Sequence, residues 1–406
     1  MKWEIKTLAD IAIKDNGIVD GPFGSNLKKS DYIADKENGV PVLTTKNLHG
    51  DYTDGSVRYI TKEKYEQLKR SSVFPGDILV AKIGSIGTCG IYPLTQRIAI
   101  IPANLLKITV LPSMDRKYVY YYILSAGFQK RIKEIATATA QPAFNVTKFR
   151  KLPIPVPPLE EQQRIVARIE ELFSQLDDAE ATLQKTKAQL AVYRQAVLKD
   201  AFTSIPKPYM SCFVEDVCCE IKVGIVIKPS QYYTSADKGV KAFRSANVRE
   251  FRINDSDWVF LTKQGHESNK RSELHTGDVL VVRSGYPGTA CVVTEEYDGC
   301  NAIDILIAVP DKNKVLPEYL CAYTNSPLGK MTVHEKKRGV AQAHFNVGGF
   351  TKTPIVIPPI EKQKNVLRHI ESRLSIQEYI EQSIDDTLAK IHAFRQSILR
   401  KEFEGE

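Results

Sequence analysis

Two patterns of apolar residues alternate along the chain. In the first, short apolar runs sit between Gly, Pro, Asn and Asp, as in Val40-Pro41-Val42-Leu43 and Ile78-Leu79-Val80-Ala81. Runs of this kind predict strands. Within the same turn-rich background, Lys117 to Ile135 and Pro317 to Val333 predict helices. In the second pattern, apolar residues recur in steps of four and three. One such seam is Ile165, Ile169, Leu172, Leu176, Ala179, Leu183, Thr186, Leu190, Tyr193 and Val197. The other is Val366, Ile370, Leu374, Ile380, Ile384, Thr387, Ile391, Phe394 and Ile398. Seams this long and narrow predict two helices that pack on a helical partner. The stretch from Ile165 to Leu198 would span roughly 50 Å at about 1.5 Å per residue.

The two patterns occur twice because the chain is a tandem repeat. Gly76-Asp77-Ile78-Leu79-Val80 returns as Gly277-Asp278-Val279-Leu280-Val281, an offset of 201. That offset also pairs Phe144-Asn145-Val146 with Phe345-Asn346-Val347, and Arg194-Gln195 with Arg395-Gln396. Upstream the offset is 200, pairing Gly24, Lys28, Tyr32 and Asn47 with Gly224, Lys228, Tyr232 and Asn247. Each repeat joins its two parts through a proline-rich segment, Leu152-Pro-Ile-Pro-Val-Pro-Pro-Leu159 and Thr353-Pro-Ile-Val-Ile-Pro-Pro-Ile360. Proline fixes φ and lacks an amide proton, so these joints should be extended and stiff. The acidic residues that follow suit the first turn of a helix.

The expected fold is α+β: two mixed α/β domains and two long helices. The helices form an antiparallel intramolecular coiled coil, and a pseudo-twofold axis relates the repeats. The expected boundaries are 1–152 for the first domain, 153–202 for its joint and central helix, 203–353 for the second domain, and 354–406 for its joint and C-terminal helix.

Composition narrows the class. Apolar residues are 43% and charged residues 26% of 406 positions, as in ordinary globular proteins. No apolar run is long enough to span a membrane, and Met1 to Lys6 lacks the apolar core of a secretory signal. Seven cysteines without a CxxC pair argue against a disulfide framework or zinc ribbon and for a reducing cytoplasm. The net charge of +8 is uneven: residues 1–158 carry +9, 159–200 carry −2, 201–360 carry +2 and 361–406 carry −1. A basic globular region suits a polyanion such as nucleic acid.

Catalytic signatures are missing. The Pro-Pro pairs lack the preceding Asn or Asp expected of an amino-methyltransferase. The glycine run Gly84-Ser-Ile-Gly-Thr-Cys-Gly90 lacks the lysine of a phosphate-binding loop. The histidines show no zinc-binding spacing. A binding protein with no catalytic or metal residues is expected.

Polar loop residues are better suited to reading DNA. Thr44, Lys46 and Asn47 match Arg244, Ser245 and Asn247, each set offering a cation and an amide that could read adenine. Lys82, Ser85 and Thr88 match Arg283, Tyr286 and Thr289 around glycines that permit close approach to a phosphate. Ser25, Asn26, Lys28, Lys228 and Arg249 extend the two sets. Gln141, Arg338 and Gln342 lie in the loops before Phe144 and Phe345. Asp77 and Asp278 are expected in turns, and Asn145 and Asn346 as caps.

This order of parts resembles the specificity subunit of type I restriction–modification systems. The carrying residues are the proline joint running into Glu160-Glu-Gln-Gln-Arg-Ile-Val166, and Tyr193-Arg-Gln-Ala-Val-Leu198. Their echoes are Glu361-Lys-Gln363 after the second joint and Phe394-Arg-Gln-Ser-Ile-Leu399. Gly-Pro-Phe-Gly-Ser at 21–25 and Gly76-Asp-Ile-Leu79 also fit. The resemblance implies that each domain is a target recognition domain reading one half of a split site in double-stranded DNA. The helices then form a spacer that sets the gap. It further implies two methyltransferase subunits carrying S-adenosylmethionine, and two restriction (translocase–nuclease) subunits using ATP and magnesium. This chain would itself bind no cofactor and catalyse nothing.

Two other readings stay open. One is a fragment of a fused restriction–methylation enzyme, which binding of S-adenosylmethionine by the isolated chain would reveal. The other is a coiled-coil scaffold with two protein-binding modules. A steep salt dependence of DNA binding would argue against it.

Overall fold

The computed structural model describes residues 3–22, 24–52, 55–137, 141–205, 209, 211–335 and 347–404. Among them are ten α-helices: α1 (Lys62–Leu68), α2 (Arg116–Leu124), α3 (Ala126–Ile135), α4 (Val146–Arg150), α5 (Leu159–Thr203), α6 (Lys263–Ser268), α7 (Pro317–Asn325), α8 (Pro327–Glu335), α9 (Val347–Thr351) and α10 (Ile360–Glu404). The chain divides into two compact units. The first comprises Met1–Leu183 with Asp386–Glu406, the second Gln184–Asp385. No helix among the described residues is long and apolar enough to cross a membrane. All seven cysteines are free.

The first unit is built on a four-stranded antiparallel sheet in the order Ile18–Asp20, Leu105–Ile108, Ile78–Ala81, Cys89–Ile91. A five-stranded sheet that includes Val40–Val42 adjoins it in sequence. One face of the four-stranded sheet, with Ile78, Val80 and Leu106, packs on Tyr118, Val119, Tyr122 and Phe128. The expected helix over Lys117–Ile135 is two helices. Ser125 ends α2 and caps α3 by accepting from Phe128 N–H, so the chain turns there. Ser326 divides α7 from α8 in the same way and accepts from Gly329 N–H.

The proline joint is extended, as its composition demands. Pro153–Val156 pairs antiparallel with Glu4–Thr7. Prolines supply acceptors but no donors, so some joint carbonyls need partners from elsewhere. Tyr118 and Tyr122, one turn apart on α2, donate to the carbonyls of Pro155 and Pro153 at 2.8 and 3.1 Å. Just beyond the joint, the buried Gln162 of α5 accepts from Asp115 N–H (2.9 Å) and donates to the Pro157 carbonyl (2.9 Å). Phe403 of α10 stands edge-on to both tyrosine rings, with centroids 5.3 Å away.

The second unit repeats the construction. Its sheet runs Cys218–Val223, Ile305–Pro310, Val279–Val282, Ala290–Val292. Pro354–Val356 pairs with Ser211–Phe213. Tyr319 and Tyr323 donate to the carbonyls of Val356 and Pro354 at 2.9 and 2.6 Å. Gln363 accepts from Leu316 N–H (2.9 Å) and donates to the Pro358 carbonyl (2.9 Å). Phe202 of α5 takes the place of Phe403.

The two 45-residue helices run antiparallel in each unit. In the first, Arg168 pairs with Glu402 and Arg395 with Asp177 and Glu180. In the second, Lys187 pairs with Asp385 and Arg194 with Glu378. The seam departs from its expected course in one respect. Ile380, Tyr193 and Phe394 face solvent, Phe394 at 57% exposure, and Ala179 is exposed too. The neighbouring charged residues Glu180, Arg194, Glu381 and Arg395 are half-buried instead, and Gln377 is buried. Arg194 and Arg395 sit inward because carboxylates of the facing helix answer them. Choosing apolar letters therefore slid the expected seam by one residue. Ile165, Ile169, Leu172, Leu176, Leu183, Leu190, Val197, Val366, Ile370, Ile384, Ile391 and Ile398 are buried or half-buried on their helices.

Asp77 lies at the turn into its strand and accepts from Phe74 N–H. It also forms a fully buried ion pair with Lys107 (3.2 Å) and accepts from the Thr109 hydroxyl (2.6 Å). At the equivalent place in the second unit, Asp278 accepts from His275 N–H, and Ile307 stands where lysine would be. Burial therefore raises the Asp278 carboxyl above its ordinary range.

Two predictions follow from these polar groups. Asp77→Asn leaves the Lys107 ammonium buried without its counter-charge and should cost about 3–5 kcal/mol in urea unfolding at neutral pH. Asp278→Asn should act oppositely. A raised folded-state carboxyl makes stability fall as pH rises from the ordinary aspartate value through the raised one. The Asn variant should lose that decline, read as a flatter pH profile of the urea midpoint. Separately, Gln377 is buried with its side-chain oxygen unpaired. Gln377→Leu should stabilise the chain by about 1–3 kcal/mol.

Candidate nucleic-acid interface

Strand pairing brings the polar loops of the first domain together. Asp20 pairs with Leu106, Leu105 with Ala81, and Val80 with Cys89. The segments 21–28, 82–88 and 102–104 therefore leave one end of the sheet. The segment around Gln141 is fastened beside them, since Gly84 N–H donates to the Pro142 carbonyl and Phe144 N–H to the Lys82 carbonyl. Ser25, Asn26, Lys28, Lys82, Ser85, Thr88 and Gln141 thus share one end of the fold. Gly84 and Gly87 hold positive φ of 82° and 83°, which shapes the tight loop presenting Ser85. Ser25, Asn26, Lys28, Ser85 and Gln141 are exposed, and Thr88 is half-buried.

Lys82 has a different environment from the one expected. It is buried, and its ammonium donates to Asp20 at 2.6 Å. Its charge is neutralised within the domain before any phosphate arrives. Asn47 is also redirected. It is 2% exposed, its side-chain oxygen accepts from Thr44 N–H (2.6 Å), and its amide donates to the Asp51 carbonyl (2.6 Å). Both ends of the amide hold a 3-10 turn over Thr45–His49, leaving neither to read a base. Thr44 donates its hydroxyl to the Ser56 carbonyl. Lys46 is the exposed member of this trio. The turn packs closely on the strand Cys89–Ile91: a Cβ on Gly90 would come within 2.4 Å of the Leu48 carbonyl oxygen.

The second domain arranges its loops alike. Val223 and Val281 both pair with Leu306, and Val281 with Ala290, so 224–228, 283–289 and 303–304 leave one sheet end. Arg283 donates to Asp304 at 2.6 Å, as Lys82 does to Asp20. Asp304 and Lys228 take left-handed backbone, φ 52° and 42°, an uncommon conformation for such residues. Between Gly285 and Gly288, both at positive φ, Tyr286 projects with 82% exposure. Thr289 N–H closes this loop onto the Tyr286 carbonyl.

Asn247 is fully buried and repeats the role of Asn47, accepting from Arg244 N–H and donating to the Asn254 and Ser256 carbonyls. Arg244 is half-buried and donates to the Asp257 carbonyl. Ser245 is half-buried, and the exposed Arg249 donates to the carbonyls of Val248 and Ser245. Arg338, Gln342 and Asn346 lie outside the described residues. Asn145 caps α4 through Thr147 N–H (2.7 Å). Sequence reasoning missed the exposed Val226 and Ile227 on the same sheet end, whose only signal was an apolar pair beside Lys228. Among the described residues no cluster of His, Cys, Asp and Glu could hold a metal ion.

Residues 1–189 match the model of a family described as type I restriction modification DNA specificity domain. The chain is 22% identical over 402 residues to the type I restriction enzyme EcoBI specificity subunit of Escherichia coli, covering 93% of this chain and 82% of that one. Against the EcoKI specificity subunit of Escherichia coli K12, identity is 25% over 308 residues, covering 71% and 65%. The fold is similar to a chain from a structure titled for complex assembly and conformational transition of the type I R-M system. That match has a TM-score of 0.72 at 17% identity and covers 99% of this chain and 97% of that one. The HsdS subunit from Thermoanaerobacter tengcongensis matches with a TM-score of 0.55 at 17% identity, over 100% and 97%. Residues 1–189 thus match a type I restriction modification DNA specificity domain, and over most of its length the chain is similar to type I restriction enzyme specificity subunits.

Proposed function

We propose that this chain gives a type I restriction–modification assembly its DNA specificity, each recognition domain reading one half of a bipartite site. The observation that carries the proposal is a scaffold built twice with different tips. The joint, the two tyrosines and the buried glutamine recur in both units. At the loop end, Asn26, Lys46 and Ser85 stand opposite Val226, Ala246 and Tyr286 in the repeat. Equal frames with unequal tips suit two half-sites of different sequence. The chain then works by binding and positioning. Adenine methylation with S-adenosylmethionine, and ATP- and magnesium-dependent restriction, fall to methyltransferase and restriction subunits assembled on it. The helices act as the spacer that fixes the unread gap.

Genome-wide adenine methylation, measured with and without this gene in cells expressing the partner genes, tests the proposal. A split motif should vanish on deletion; an unchanged methylome would sink it. Within that motif, Tyr286→Ala should weaken specific binding by about 1–3 kcal/mol and relax only one half-site. Lys46→Ala should act on the other half. Relaxation of both halves by either variant would contradict the division of labour.

A further inference from the structure

At the loop end of the sheet the two units present opposite chemistry. In the first, the exposed side chains Ser25, Asn26, Lys28, Ser85 and Gln141 can all hydrogen-bond. In the second, Val226, Ile227 and Tyr286 stand out at 55%, 79% and 82% exposure. The difference begins with the length of one connection. Asp20 and Val223 hold equivalent places, paired with Leu106 and Leu306. Lys28 and Lys228 are also equivalent, each standing just before a 3-10 turn. Between these points the second unit is three residues shorter. Its connection closes through left-handed backbone at Lys228, φ 42°, where Lys28 is extended at −93°. Leu27, just before Lys28, packs against Val42, Ile60 and Leu68. In the second unit Ile225 already fills that place, against Ala242, Leu261 and Ile303. Ile227, just before Lys228, has no core left to enter and faces solvent.

The exposed pair rests on a fixed base. Ile225 N–H donates to the Ala302 carbonyl, and Asp304 N–H donates to the Ile225 carbonyl. The Asp304 carboxylate in turn holds Arg283 at the foot of the Tyr286 loop. Backbone strain of the kind seen at Lys228 and Asp304 persists where surrounding structure enforces it, and it gathers at binding sites.

A valine and an isoleucine have nothing to offer a hydrogen-bonding base edge, and they would strip water from it without replacement. The one apolar group on the base edges of duplex DNA is the thymine C5-methyl, which lies in the major groove. Three side chains are also far too few for a stable protein interface, which takes about 800 Å² per partner. We propose that Val226 and Ile227 read thymine methyl groups in the half-site of the second domain, with the exposed Lys228 on an adjacent phosphate. The proposal rests on the bipartite reading above and gives one half-site a chemistry the other lacks: methyl contacts here, hydrogen bonds in the first domain.

The test uses the chain assembled with its methyltransferase subunits and short duplexes carrying the split motif found by methylation mapping. Uracil replaces thymine one position at a time, in both half-sites and both strands, which removes the methyl and nothing else. Affinity should fall about fourfold per methyl contacted, at one or two positions of a single half-site. In the double variant Val226→Ala with Ile227→Ala, the uracil and thymine duplexes should bind alike at those positions, and the thymine duplex should bind more weakly than to the wild-type chain. Indifference of the wild-type assembly to uracil at every position overturns the methyl reading. So does a uracil penalty that survives unchanged in the variant. Brightening of 2-aminopurine placed beside those positions, with uracil tolerated, would show a wedge that unstacks bases and would equally overturn it. Each of these outcomes leaves the bipartite reading standing as long as the wild-type assembly still discriminates the motif. If it does not discriminate the motif at all, the bipartite reading falls and the methyl contacts with it.

Discussion

Everything in each unit hangs on how a donor-poor proline segment is tied down. The joint must be stiff to aim a long helix, yet its prolines cannot donate to a sheet or to the helix they precede. Two tyrosine hydroxyls and one buried glutamine amide supply the missing donors, and that glutamine accepts from the backbone at the start of α2 or α7. The first turn of the long helix is thereby bolted to the domain through polar contacts sealed under an aromatic ring of the other helix. Buried hydrogen bonds cost far more to lose than they contribute net, so this arrangement specifies an angle more than it adds stability.

The seam between the helices follows the same logic. A purely apolar seam would hold in several registers. Placing Arg194 and Arg395 inward sets each against particular carboxylates of the facing helix, Glu378 in one unit and Asp177 with Glu180 in the other. A slipped register would strip Arg395 of both its carboxylates in a half-buried place and leave Arg194 with Glu250 alone. Specificity of assembly is thus written in charge, while Ile169, Ile370, Ile384 and Ile391 provide the adhesion.

Much of this was legible in the sequence. Long heptad seams, paired prolines and a repeat offset are strong signals because they reflect periodicity and backbone chemistry rather than context. The family resemblance rested on the same residues. What stayed hidden depends on which partner a polar group finds in space. Gln162 follows Glu160 and Glu161 and Gln363 lies between Lys362 and Lys364, so both look like part of a solvated helix start. Asn47 and Asn247 look like base-reading amides, yet each holds its own backbone turn. Lys82 and Arg283 look like phosphate ligands until Asp20 and Asp304 are seen beside them. Phe394 looks like a seam residue because its neighbour Arg395 is charged, and only the facing Asp177 explains the exchange of places.

The internal pairing of Lys82 and Arg283 bears on the charge such a surface can offer. A protein grips arbitrary DNA mainly by displacing condensed counterions with its own cations. A cation already clasped by a carboxylate displaces few of them unless a phosphate sits well enough to break the clasp. Clasped by Asp20 and Asp304, Lys82 and Arg283 have little charge left to displace counterions from any polyanion. Their charge is spent instead on holding together the strand ends from which the polar loops leave.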